Sequence, residues 1–349
     1  MRVAGYALEE KIRKLNGGLI TMGTFHKKHF FTALLFLLLL LLPIGCSPAA
    51  PDEPGQVTVL LDWTPNTNYS GIYAAIEEGF YDEESLNVEV IEAPGSVVQM
   101  VAAGQAEFGI SYQEEVTFAR LSDLPVVSIG AIIQQNTSGF ASLKERAIET
   151  PADFEGKSYG GWGSPVEEAT IRALMEKYGA NFEEVDIITT GEVDSLIVIE
   201  READFAWIYY GWTGIEAELK GMELNFIELR EEEPALDYYT PILISGEGLI
   251  ADNPELIKRF MRATAKGYQL AAENPEEAAR HLLTHAPELD EVLVMASQEW
   301  LADKYQADAE VWGLQEKETW EAYSQWLYDH NLIEKMPDVD EGFTNEFLR

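Results

Sequence analysis

Short apolar runs and helical patterns alternate twice along this chain, and that alternation constrains the fold more than any other feature. Strand-like runs stand near 57–62, 87–92, 106–111 and 126–133, separated by helical patterns near 70–79, 96–104 and 114–122. A second set has strands near 157–161, 185–190, 204–209 and 224–229, with helices near 165–178, 195–203 and 212–220. Such βαβα order builds a doubly wound, largely parallel α/β sheet with helices on both faces. A strand-like run from Tyr239 to Ala251 then leads into a wholly helical tail. The order predicts two lobes: lobe 1 from 57–138 plus 245–349, and lobe 2 from 139–244. The crossings fall near Asn136–Leu143 and Tyr238–Ile244, and lobes joined by two strands can close on a ligand by hinge motion. Helix starts are marked by Ser164-Pro165-Val166-Glu167 and Asn274-Pro275-Glu276-Glu277, with Asn253-Pro254-Glu255 as a weaker version.

The N-terminus reads as an address. His26-Lys27-Lys28-His29 precedes an uncharged run from Phe30 to Leu42, too short to span a bilayer, and then Pro43-Ile44-Gly45-Cys46. Residues 1–45 are read as a secretory signal, with Met22 as an alternative start that makes residues 1–21 dispensable. Gly45-Cys46 resembles the lipobox of bacterial lipoproteins, so Cys46, the single cysteine, is the expected lipidation site; a free thiol in an ordinary secreted protein is the other reading. Residues 46–56 form a proline-rich tether. Residues 1–45 hold six basic and two acidic residues, so the remainder is more negative than the −37 of the whole chain. That charge argues against nucleic acid and against attraction to anionic lipid.

In open α/β sheets a ligand sits beyond the carboxyl ends of the strands. Three such junctions are rich in aromatic and amide residues: Asp62–Tyr69, Gly161–Ser164 and Tyr209–Trp212. The candidate ligand-binding residues are Trp63, Asn66, Tyr69, Tyr112 and Glu114 from one lobe, with Trp162, Gly163, Glu192, Tyr209, Tyr210 and Trp212 from the other. The strand-end loops carry Asp62, Glu114, Glu115, Glu167, Glu168, Glu192 and Asp194 but neither lysine nor arginine. A neutral or cationic heterocycle suits them better than an anion. Trp207 reads as core, and Trp300, Trp312, Trp320 and Trp326 as packing in the tail. His281 and His285 share a helical spacing, with no third ligand suggested nearby, so no metal is expected. There is no phosphate-binding glycine fingerprint and no nucleophile, base and orienter set.

Several segments together resemble the solute-binding proteins of ABC importers related to thiamine-pyrimidine synthase. They are Leu61-Asp62-Trp63-Thr64-Pro65-Asn66-Thr67-Asn68, Gly79-Phe80-Tyr81, Ala103–Ile110 and Asn253-Pro254-Glu255-Leu256, and the likeness spans nearly all of 57–335. The resemblance implies a type II periplasmic-binding-protein fold, two doubly wound lobes joined by a two-strand hinge. It also implies a monomer that works with an ABC permease and ATPase, anchored by lipid to the outer face of the cell membrane in bacteria with one membrane. The opening motif is similar to that of the branch binding thiamine pyrimidine precursors, of the hydroxymethyl- or formylamino-pyrimidine type. Riboflavin or another aromatic solute is the alternative ligand. The same family contains an enzyme that consumes its own histidine and a lysine-held pyridoxal phosphate, with a cysteine-rich iron motif on the return strand. The matching stretches here, Ser111–Val116 and Pro241–Glu247, contain no lysine, histidine or cysteine, so neither cofactor nor catalytic residue is expected.

Overall fold

The computed structural model describes residues 55–348 apart from 192, so the signal, Cys46 and Glu192 lie outside the described residues. The described residues form ten strands: β1 Gly55–Leu61, β2 Leu86–Glu92, β3 Phe108–Ser111, β4 Val126–Ala131, β5 Ser138–Leu143, β6 Ser158–Gly161, β7 Asp186–Thr189, β8 Phe205–Tyr209, β9 Leu224–Glu228 and β10 Ile242–Gly246. They form two five-stranded sheets, ordered β2-β1-β3-β10-β4 and β7-β6-β8-β5-β9. The first sheet takes its strands from both ends of the described chain and the second from its middle.

Four strands of each sheet run the same way, as the sequence reading expects, and two features refine it. First, the sheets are mixed: β10 runs antiparallel to β3 and β4, and β5 antiparallel to β8 and β9. Each odd strand adjoins a crossing and therefore enters its sheet from the opposite end to the βαβ strands. Second, Ser138–Leu143, read only as a crossing, is an interior strand, and Ile242–Gly246 already belongs to the first sheet. The crossings proper are shorter, at 132–137 and 237–241. β5 escaped notice because it is made of small residues. A side chain at Gly139 would meet the Ile227 carbonyl at 2.3 Å, so the neighbouring strand excludes the bulk by which strands are recognised.

Both faces of each sheet are covered, and side-chain alternation assigns each residue to one cover. On β1, Val57, Val59 and Leu61 join the core beneath the helix Pro254–Glu273, while Leu60 faces Val97, Val98 and Val101. On β8, Phe205 and Trp207 join Phe140 and Phe154, while Ala206 and Ile208 face Val198 and Ile199. Phe154 and Phe205 stack with ring centres 4.1 Å apart. Trp207, Trp312, Trp320 and Trp326 are buried, as packing residues should be. At the helix starts, Ser164 caps its helix with Glu167 in a capping box, and Asn253 Oδ1 accepts from Leu256 N at 3.2 Å. Asn274 makes no such side-chain cap; its amide donates to Glu277 instead.

The crossings are joined at Asn136, which is wholly buried. Its backbone N–H donates to Asp237 Oδ1 at 2.8 Å, its Nδ2 donates to the Leu236 carbonyl at 2.8 Å, and its Oδ1 accepts from Ser138 N at 2.9 Å. Gln113 ties the second crossing to lobe 1, donating N–H to Tyr239 O at 2.9 Å and accepting Tyr239 N–H on Oε1 at 3.0 Å. Asn136→Ala strands buried donors and acceptors on both crossings. It is expected to cost about 2–4 kcal/mol in urea denaturation, and a loss below about 0.5 kcal/mol would contradict this role.

Candidate functional site

The carboxyl ends of β1 and β3 in lobe 1 and of β6 and β8 in lobe 2 supply the site. After β1 the loop is held by its own groups. Asn66 caps the turn Thr67–Tyr69, its Oδ1 accepting from Asn68 N at 2.9 Å and its Nδ2 donating to Thr64 O at 2.9 Å. Tyr69 is buried, and its hydroxyl donates to Asp62 Oδ1 at 2.7 Å. This leaves Asp62 exposed and Trp63 half exposed, at 52%. After β3, Tyr112 precedes the helix Gln113–Leu121, whose first turn carries Glu114 and Glu115 where the helix dipole favours negative charge. Ser111 Oγ donates to Glu115 Oε2 at 2.7 Å, and Tyr323 Oη donates to Glu114 Oε2 at 2.8 Å.

In lobe 2, Trp162 stands 47% exposed just past β6, against the edge of Trp207 at 5.6 Å between ring centres. Gly163 follows with φ +95°, a conformation that other residues adopt only with strain. Glu167 is buried and fully engaged. It accepts the Tyr159 hydroxyl and the backbone N–H groups of Trp162, Gly163 and Ser164, so its work is to hold the loop. Tyr209, the last residue of β8, is 37% exposed.

The charges of these groups act on one another across the lobes. Burial lifts the Asp62 carboxyl to about 6, against the pull of Tyr69, with Glu115 adding to the rise. Burial likewise lifts Glu114 to about 7, with Tyr323 opposing and Glu115 and Glu167 reinforcing. Glu115 is also raised by burial, with Ser111 opposing. Burial carries the Tyr209 hydroxyl to about 12, with Glu114 and Asp62 of the facing lobe contributing. Burial raises Tyr112 too, together with Glu115, Glu114, Tyr209 and Asp62. Asp62 and Tyr209 both keep exposed surface, so the desolvation behind these rises comes from protein packed around the strand ends rather than from full burial.

Not every predicted residue faces that cleft. Asn66 spends its amide on its own loop, and Tyr69 stands behind Asp62. Tyr210 follows Tyr209 by one position and turns elsewhere: its ring lies 4.9 Å from Phe226 and 5.4 Å from Trp300, and its hydroxyl donates to Glu218. Trp212 packs on the lobe 1 core. Beside it the Gly211 carbonyl accepts from Ser297, whose hydroxyl also lies 2.6 Å from that of Thr67, so this segment fastens lobe 2 to lobe 1. Glu192 lies outside the described residues. Conversely, the candidate set lacked Asp62 and Glu115, although both stand as acids in the strand-end loops. It also lacked Tyr238, at the second crossing, and Tyr323, from a helix remote in sequence, for which the sequence carries no signal.

The histidines give a second correction. Where no third ligand was foreseen, the fold sets Glu78 beside Glu277 and His281, with donor atoms all within 4.8 Å of one another. His281 Nε2 lies 2.9 Å from Glu78 Oε1, and His285 Nε2 lies 2.9 Å from Glu77 Oε1. Among the described residues this is the one set of three such donors close enough to share an ion, and it lies outside the cleft.

The NMT1/THI5 like family matches residues 66–278. A formylaminopyrimidine-binding protein of Halalkalibacterium halodurans is 30% identical over 90% of this chain and 97% of its own length. A 4-amino-5-hydroxymethyl-2-methylpyrimidine phosphate synthase of Legionella pneumophila is 24% identical over 84% of this chain and 92% of its own. Among solved structures, a Candida albicans gene product with the generic periplasmic binding protein fold superposes with TM-score 0.61 at 13% identity, covering 84% of this chain and 97% of that one. That likeness establishes the fold.

The raised Glu114 has a consequence for stability. Its proton is held more tightly in the folded chain than in the unfolded one, so stability falls as pH rises from 4.5 to about 7. Glu114→Gln, which keeps an acceptor for Tyr323, is expected to raise the melting temperature at about pH 8 and to leave it nearly unchanged at about pH 4.5. An equal gain at both pH values in thermal melts would contradict the assignment.

Proposed function

The chain belongs to the NMT1/THI5-like family, and from that premise we propose that it is the solute-binding component of an ABC importer for a thiamine pyrimidine precursor of the formylamino- or hydroxymethyl-pyrimidine type. One observation carries the reading: the charges of Asp62 and Glu114 in lobe 1 act on the Tyr209 hydroxyl of lobe 2, at strand ends where Trp63 and Trp162 are also exposed. An aminopyrimidine offers ring faces for the aromatic residues and amino donors for the carboxylates. Aromatic stacking contributes about 0.5–1.5 kcal/mol beyond burial. Capture then proceeds by closure of lobe 2 on lobe 1 about the two crossings, and delivery by docking on a permease with its ATPase. No bond is made or broken.

The rival is the synthase chemistry named for the Legionella relative. Ser111 and Glu115 stand where the synthase resemblance calls for reactive groups, and here they are hydrogen-bonded to each other. Nothing in Pro241–Glu247 supplies a thiolate for iron. For location, we propose that Cys46 is acylated after removal of residues 1–45 and holds the protein at the outer face of the cell membrane. Cys46→Ser is expected to move the protein from the membrane fraction to the medium or periplasm, and retention through the same lipid linkage would contradict the anchor.

Calorimetry with formylaminopyrimidine tests the binding reading. Trp63→Ala and Tyr209→Ala are each expected to weaken binding by about 1–3 kcal/mol. Tyr210→Ala should lower the melting temperature with a smaller effect on affinity. Unchanged affinity in the first two variants, with the fold intact, would put the site elsewhere.

A further inference from the structure

We propose that the cleft takes its ring ligand as a cation, the positive charge lying on the heterocycle against Asp62, Glu114 and Glu115, so that a neutral aminoheterocycle binds with uptake of one proton on a ring nitrogen. The inference rests on the proposed reading of the site and narrows its ligand class.

Three carboxylates converge here without a basic partner. The groups acting on Asp62 are Tyr69 and Glu115; those on Glu114 are Tyr323, Glu115 and Glu167; the one on Glu115 is Ser111. The surrounding phenols Tyr112, Tyr209, Tyr238 and Tyr323 are all held neutral, their hydroxyls raised first by burial and then by nearby charges. Basic side chains nearby in sequence are engaged elsewhere. Arg120, at the far end of the Gln113–Leu121 helix, pairs with Glu247 and Glu341, and Arg230 with Glu228. Each cleft glutamate uses one oxygen on its hydroxyl donor, and its other oxygen has no partner among the described residues.

A metal ion does not fit the vacancy of charge. Asp62, Glu114 and Glu115 are not among the donor sets close enough to share an ion, and all three approach the cleft from one lobe. A larger cation with spread charge can reach all of them at once. Trp63, Trp162 and Tyr209 are exposed at the same strand ends, and an aromatic ring face attracts such a cation.

The proton balance follows from the chemistry. Well above about pH 7 Asp62 and Glu114 are ionised before the ligand binds, so the proton added to the ring comes from solvent. Below about 6 it comes from a carboxyl of the cleft, and net uptake disappears. Affinity for a neutral precursor therefore levels off at low pH and falls about tenfold per pH unit on the alkaline side.

Calorimetry of the full chain with formylaminopyrimidine, in two buffers of different ionisation enthalpy, reads the uptake. The expected result at about pH 8.5 is close to one proton per ligand, with that alkaline slope. Nitrogen NMR of ring-labelled ligand should show the shift of a protonated ring nitrogen in the complex, and Glu114→Gln and Glu115→Gln should each weaken binding at about pH 8.5. Binding with a pH-independent affinity and an unprotonated ring would overturn the cation while leaving the pyrimidine reading in place. Proton uptake that leaves the ring nitrogen unprotonated would put the proton on a carboxyl and overturn it as well. Absence of binding at every pH would overturn the ligand reading and this inference with it.

Discussion

The buried amide of Asn136 holds together the two passages on which the cleft depends. One side chain bonds the carbonyl of Leu236, just before the returning crossing, and the backbone of Ser138, at the start of β5, while the Asn136 backbone N–H reaches Asp237. Because the crossings are short and joined there, β5 and β10 enter the interiors of their sheets at fixed register. Antiparallel entry leaves the carboxyl ends of β1, β3, β6 and β8 free to face one another. A site made of those ends then draws on both lobes.

The electrostatics of the empty cleft are unfavourable by construction. Burial and mutual repulsion raise Asp62 and Glu114, so the folded chain pays at neutral and alkaline pH for carboxylates that help it little on its own. Asp62, Glu114 and Glu115 are each held by a single side-chain hydroxyl, from Tyr69, Tyr323 and Ser111 in turn, which fixes their direction without neutralising them. Strain of this kind is expected at binding sites, where a ligand completes what the protein leaves open. Glu167 shows the contrast: four donors and a capping role leave it nothing to offer a ligand.

The sequence was most legible where structure is local. Strands with continuous apolar runs, such as β1 and β4, and the helix started by Ser164 are written in their own residues. So is the position of Trp63, Tyr112, Trp162 and Tyr209 at strand ends, since a strand end is defined by its neighbours. β5 was hidden because its packing between β8 and β9 demands small residues. Which of two adjacent tyrosines faces the cleft was hidden too. Tyr209 ends β8 while Tyr210 opens the helical segment that follows, and only the position of Trp300 and Phe226 decides which ring is packed away. Tyr323 enters from a helix more than two hundred residues from Glu114, a contact that only the tertiary fold creates.

The account stands most directly on where the ring sits. A crystal structure of the chain with formylaminopyrimidine should show the heterocycle between Trp63 and Tyr112 of one lobe and Trp162 and Tyr209 of the other. Its amino group and ring nitrogen should lie within hydrogen-bonding distance of at least one of Asp62, Glu114 and Glu115. A ring bound away from these strand ends, or held by one lobe with the other withdrawn, would contradict it.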